Sequence, residues 1–255
     1  MEFYNRKAET VIPSTLLKQF KEYLEVAEFP SSGWVDAPYD DASQLDAFDH
    51  LGPAKGQRVA QLGGSGMHAV KSLLAGADEA WLITPMHKEA CFGSELARLA
   101  GVGDRFNAVV GIGEQIPIDD ETFDVVYSGG CLHHMTTEFA GPEIQRVLIP
   151  GGRFAAVEPW RTFLHRVGTR LIRRREANAY CRPIDPDRLA PVRGAFGSLE
   201  LVHHEPLLRY IALAIAKLTK RPLSARAALR KTRIDDSFLL SPRLGGSVAV
   251  LATRN

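Results

Sequence analysis

Val59–Val70 reads VAQLGGSGMHAV: an apolar run, then glycines at Gly63, Gly64 and Gly66, then a stretch with helical apolar spacing. Glycines between a strand and a helix let the backbone turn where a Cβ would clash. They also let it approach a ligand and leave the first helix amides facing outward. The spacing is neither GxxxxGKS/T nor GxGxxG, so neither a phosphate-cradling loop nor a dinucleotide turn is predicted. A glycine cluster also serves ordinary tight turns, and what surrounds this one decides between the readings.

Outward from this loop, short apolar runs alternate with helical stretches, the grammar of βαβ units in a parallel sheet. Strands are predicted at Arg58–Leu62, Ala80–Thr84, Arg105–Val110, Phe123–Ser128 and Gly152–Glu158, with helices near Met67–Ala75, Lys88–Ala100 and Glu143–Leu148. Beyond Glu158 come an Arg-rich helical stretch, a Pro-punctuated loop, a strand at Leu199–His204, an apolar helix at Leu207–Leu218 and a final strand at Ser247–Thr253. The predicted fold is α/β: a doubly wound, mostly parallel seven-stranded sheet with an N-terminal helical cap and a C-terminal helical insertion. The boundaries expected are 1–50 for the cap and 51–255 for the main domain, with 58–159 as the ligand half and 160–255 on the substrate side. In such sheets ligands bind past the carboxyl ends of the strands, where strand order reverses.

A chain of 255 residues, 24% charged, buries one sizeable core. The amino terminus lacks a basic region followed by an apolar one, and charges interrupt the apolar runs, so neither a signal peptide nor a spanning helix is expected. A cytoplasmic protein follows. Cys91, Cys131 and Cys181 are odd in number and have no partner at metal-ligand spacing, so free thiols and no metal site are expected. The chain is net acidic through residue 159 and strongly basic from 160 to 255. That basic third suits an anionic small molecule, a lipid surface or the acidic N-terminal segment of the same chain. No recognition motif or interleaved aromatic surface supports nucleic acid.

The later segments GIGEQIPIDDETFDVVYSGGCLHHM (111–135) and EIQRVLIPGGRFAAVEP (143–159) resemble the type 11 branch of class I S-adenosylmethionine-dependent methyltransferases, whose fold is Rossmann-like. That branch shows a GDAExLPF-like loop, an FDxV strand ending in a small residue, a pair of histidines and a helix closing with RVLxPGG. The resemblance spans about Arg58–Pro159. It implies S-adenosylmethionine as cofactor and methyl transfer to a small-molecule acceptor, with Gly63, Gly64, Ser65 and Gly66 wrapped around the amino acid part of the cofactor.

Three positions where the resemblance places acids carry other residues here: Gln61 before the loop, Thr84 at the end of the second strand, and Ile112 after the third. Gln and Thr still hydrogen-bond to hydroxyls, but a neutral pair contributes about 0.5–1.5 kcal/mol where a charged one gives about 1.5–3. Gly113, Glu114 and Ser128 complete the expected cofactor contacts. Two other readings stay open: a non-catalytic binding or assembly module, and an enzyme of the same fold using the cofactor for other chemistry.

Methyl transfer is an in-line displacement on a carbon activated by positive sulfur, so alignment does most of the work. His133 and His134, at the cleft mouth, are the candidate bases for a hydroxyl or amine acceptor, against a packing role for the pair. Trp160 and Arg161 are the candidate substrate contacts, Glu158 lies beside them, and Tyr4, Trp34 and Tyr39 are candidates for a lid. The arginines from Arg161 to Arg175 and the helix LLRYIALAIAKL (207–218) suggest an amphipathic or anionic acceptor, peripheral lipid contact or a homo-oligomer interface, with burial as the ordinary alternative.

Overall fold

The computed structural model describes residues 41–162, 182–204, 230, 233–237 and 244–255. Tyr4, Trp34, Tyr39, Cys181, the arginines from Arg166 to Arg175 and the 207–218 stretch lie outside them. In chain order the elements are α1 (Asp41–Leu51), β1 (Arg58–Leu62), α2 (Met67–Leu74), β2 (Glu79–Thr84), α3 (His87–Leu99) and β3 (Phe106–Val110). They continue as β4 (Phe123–Gly129), α4 (Thr137–Val147), β5 (Leu148–Pro159), α5 (Pro186–Phe196), β6 (Glu200–His204) and β7 (Ser247–Thr253).

The sheet has seven strands in the order β3-β2-β1-β4-β5-β7-β6. The first five are parallel, and β7 runs antiparallel between β5 and β6. Strand order reverses between β1 and β4, whose carboxyl ends meet at the Leu62–Ser128 pair. Because successive strand residues face opposite sides, the apolar runs feed two cores. Val59, Leu82, Val125, Tyr127 and Val157 pack under α1, α2 and α3. Ala60, Leu62, Val126, Phe154 and Ala156 pack under α4 and α5. Helices on both faces are what a doubly wound sheet requires.

The strand predictions hold to within a residue or two, except that β5 begins at Leu148 rather than Gly152, through an irregularity opposite Phe123 and Val125. Two helices differ from expectation. α4 starts at Thr137, not Glu143, because Gly141 and Pro142 do not break it. A Cβ at Gly141 would lie 3.0 Å from the Val192 Cα, so this glycine is a notch that lets α5 pack against α4. The stretch expected as a Pro-punctuated loop contains α5: Asp185 caps it by accepting from the Arg188 amide at 3.0 Å, and Pro186 occupies the first turn. α1 crosses the boundary drawn at residue 50 and buries Ala47, Phe48 and Leu51 in the main core. No described helix is long and apolar enough to cross a membrane.

Candidate functional site

The loop after β1 sits at the reversal point. Gly63, Gly64 and Gly66 have φ of 72°, 73° and 78°, a conformation open to glycine and costly for other residues. The Gly63 amide donates to the Ile83 carbonyl at 2.8 Å, which pins the loop to β2. A Cβ at Gly66 would meet Leu82, Phe106 and Gly93 within 3.3 Å, so Gly66 is where α2 and α3 close on the sheet. Gly64 and Ser65 are half-exposed, and a Cβ on Gly64 would touch only the Gln61 Nε2.

Gln61 is buried and spans the loop: its Nε2 donates to the Gly63 carbonyl at 2.9 Å, and its Oε1 accepts from the Ala69 amide at 2.9 Å. One side chain thus fills both roles, which a carboxylate, having no proton to give, cannot.

At the end of β2, the buried Thr84 hydroxyl donates to Glu89 Oε2 at 2.7 Å and accepts from the Met86 amide at 3.3 Å. Burial pushes the half-buried Glu89 carboxyl above its ordinary range, with the Thr84 hydrogen bond pulling the other way. Ile112 is 45% exposed in the turn after β3 and bridges to Gln115. Gly113 lies against Met135, whose Sδ a Cβ would approach to 2.4 Å. Glu114 Oε1 accepts from the Thr136 amide at 2.8 Å, capping α4 in place of the Thr136 side chain, which makes no capping hydrogen bond. A depression of about 500 Å³ adjoins this turn, lined by Val110, Ile112, Ile116, Glu143 and Arg146 among others.

Past β4, the chain enters a short turn of 3-10 helix at Leu132–His134. Its amides converge on the buried carboxylate of Glu158 at the end of β5: Cys131 N–H at 3.1 Å, Leu132 N–H at 2.7 Å and His133 N–H at 3.3 Å. His133 Nδ1 adds a contact of 2.6 Å to the same group. A carboxylate accepts, so Nδ1 carries a proton and donates it to Glu158. His133 is buried, and its ring lies tilted at 40° to that of the half-buried His134, with centroids 4.0 Å apart. Arg188 of α5 holds the turn from outside, donating to the His133 carbonyl at 3.1 Å and the Met135 carbonyl at 2.9 Å. The Cys131 thiol is pushed up to about 12 by burial and by the charges of Glu158 and Glu89. The buried Ser128 hydroxyl, beside Leu62, has no hydrogen-bond partner among the described residues.

Trp160 is buried in the second core and meets the His203 ring edge-on at 4.6 Å. Arg161 pairs with Asp185 Oδ2 at 3.1 Å. Gln61, the glycines, Ser128, Thr84 and the Ile112 turn therefore gather at the carboxyl ends of β1 to β4, and the histidines, Trp160 and Arg161 follow β4 and β5. Glu89 and Arg188 were missed. Glu89 had a signal, an acid in the first turn of the helix that follows the strand ending in Thr84. Among the described residues no cluster of three His, Cys, Asp or Glu is placed to hold a metal.

Residues 64–156 match a family described as "Methyltransferase domain". An uncharacterized methyltransferase of Mycobacterium tuberculosis (strain ATCC 25618 / H37Rv) is 33% identical over 124 residues, covering 48% of this chain and 47% of that protein. The match thus spans about half the relative's length. Among solved structures, a geranyl diphosphate methyltransferase in complex with SAM superposes with a TM-score of 0.59 at 19% identity over 85% of each chain. The cyclase SpnF superposes with a TM-score of 0.56 at 19% identity, over 84% of this chain and 81% of that one. At such identities the likeness shows the fold. The Rossmann-like class I methyltransferase fold and the type 11 resemblance read from the motifs are both borne out.

Proposed function

We propose, from the methyltransferase domain at residues 64–156, that this protein binds S-adenosylmethionine over the Gly63–Gly66 loop and directs methyl transfer to a small-molecule acceptor. The observation that carries this reading is the loop itself: left-handed glycines, a half-exposed backbone at Gly64 and Ser65, and a Gln61 brace, all at the point where strand order reverses. The residues present fit such a cofactor. Gly64 leaves its half-exposed backbone uncovered by a side chain, the exposed Ile112 offers an apolar face to a flat base, and Thr84 and Glu89 offer polar groups at the end of β2.

The cofactor supplies a methyl group on a positively charged sulfur. The protein's part is alignment and exclusion of water, for which positioning gives about 7–11 kcal/mol. Glu158 and His133 fix the turn that walls the cleft, and Trp160 and Arg161 lie on the acceptor side. The basic balance of residues 160–255 favours an anionic or amphipathic acceptor.

Calorimetric titration with S-adenosylmethionine and S-adenosylhomocysteine tests the reading, followed by transfer of labelled methyl to candidate anionic acceptors. No heat and no thermal stabilisation at millimolar ligand would overturn it. The uncharged residues at positions 61, 84 and 112 favour a second reading, a non-catalytic module or a same-fold enzyme with other chemistry. Binding of both ligands without methyl transfer to any acceptor would select it.

A further inference from the structure

We propose that Glu89 is the carboxylate that takes the ribose hydroxyls of the nucleoside ligand, relocated from the end of β2, where this chain has Thr84, to the first turn of α3. The inference rests on the cofactor reading above and assigns a residue to it.

Thr84 is the last residue of β2 and α3 begins at His87, so Glu89 sits at the third helical position. A glutamate there ordinarily reaches back to the backbone amide of the capping residue. Here the cap is Met86, whose side chain accepts nothing, and the Glu89 carboxylate turns to the strand end instead, where Thr84 holds Oε2 at 2.7 Å. Thr84 thereby acts as a tether. It holds a carboxylate from the next helix at the end of β2, the strand end where the resemblance places an acid.

Three further observations set this group apart from a surface acid. No lysine, arginine or histidine pairs with Glu89 among the described residues, although it is half-buried and burial disfavours its charge. Its Oε1 has no hydrogen-bond partner among them, so two lone pairs remain for donors from outside. The strand end that tethers it also adjoins the glycine loop, since the Gly63 amide donates to the carbonyl of Ile83, the residue before Thr84, at 2.8 Å. The carboxylate therefore stands at the same strand ends as the glycine loop. A half-buried, tethered acceptor with no cation suits a neutral ligand group that brings two hydroxyl donors, and a ribose diol does so.

The test is calorimetry with S-adenosylhomocysteine and its 2′-deoxy analogue on the wild type, Glu89→Gln and Glu89→Asp. Glu89→Gln keeps the shape and the Thr84 contact while removing the charge. The wild type is expected to prefer the hydroxylated ligand about ten-fold or more, the scale of one charge-assisted hydrogen bond. Glu89→Gln should bind S-adenosylhomocysteine about ten-fold more weakly and discriminate between the two ligands far less, with Glu89→Asp in between. Equal loss for both ligands, leaving the ratio unchanged, would show a structural role only and overturn the proposal. Unchanged affinity in Glu89→Gln would overturn it while leaving the cofactor reading intact. A wild type that binds neither ligand would remove both readings.

Discussion

The Gln61 side-chain amide donates to the Gly63 carbonyl at 2.9 Å while its oxygen receives the Ala69 amide at the same distance. The residue at the position of a usual acid is thus a brace between the loop and α2, and restoring an acid there should harm the site. In Gln61→Glu, a carboxylate oxygen would face the Gly63 carbonyl with no proton between them. A loss of about 2 kcal/mol is expected, the scale of an unsatisfied buried polar group. Protonation would regenerate the donor, so the introduced acid has a raised folded pKa and its deficit grows as pH rises through that value. Urea unfolding at pH 5 and pH 8 checks this; a variant as stable as the wild type at both would sink the idea.

Glu158 gathers three backbone amides and the His133 ring on one buried carboxylate. Glu158→Gln offers one oxygen and turns an NH2 toward donors, so the turn loses acceptors it cannot replace. The expected cost is about 3 kcal/mol in thermal or denaturant unfolding, in the range for hydrogen bonds to a charged group. The downfield Nδ1 proton resonance of His133 should vanish in the variant. A resonance that persists, with unchanged stability, would mean that Glu158 does not organise this turn.

β1 and β7 were legible to the residue because their apolar runs end abruptly at charges or glycines, and the glycine loop was legible because left-handed backbone has a composition of its own. α5 was hidden by Pro183, Pro186 and Pro191, although Asp185 followed by Pro186, with Gly197 beyond, is a cap, a first turn and a stop. The roles of Gln61 and Glu89 were illegible for a different reason. Each depends on which atom a side chain meets across a strand-to-helix turn, and residue spacing does not encode that.

Gly141 and Gly194 form a matched pair in adjacent helices. A Cβ at Gly141 would lie 3.0 Å from the backbone of Val192, whereas one at Gly194 meets nothing within 4 Å. Gly141→Ala must push α4 and α5 apart, at about 1–3 kcal/mol for overpacking. Gly194→Ala should instead stabilise by about 0.5–1 kcal/mol through helix propensity and a less flexible unfolded chain. Opposite shifts of the thermal midpoint are the expected result, and two shifts of the same sign would refute the notch.

His204, at the end of β6, is held between two aspartates: its Nδ1 meets Asp236 Oδ2 and its Nε2 meets Asp46 Oδ2, each at 2.5 Å. Burial acts to lower its pKa, but the hydrogen bonds and charges of Asp236 and Asp46 outweigh it and raise the value from 6.5 to about 9. The neighbouring His203 is driven the other way, to about 4, by burial and by the His204 charge. Because the folded pKa of His204 is raised, its contribution is complete below about 6.5 and fades as pH rises through about 9. The amount is on the order of 2 kcal/mol once the partial exposure of the aspartates is allowed for. It joins α1, β6 and the 233–237 helical segment, so its loss should loosen that edge of the sheet. Urea unfolding of the wild type and His204→Gln at intervals from pH 6 to pH 10 reads it directly: the gap between the two curves should close across pH 7–10. Curves that stay parallel over that range would mean that this edge of the sheet is not fastened by a charge on His204.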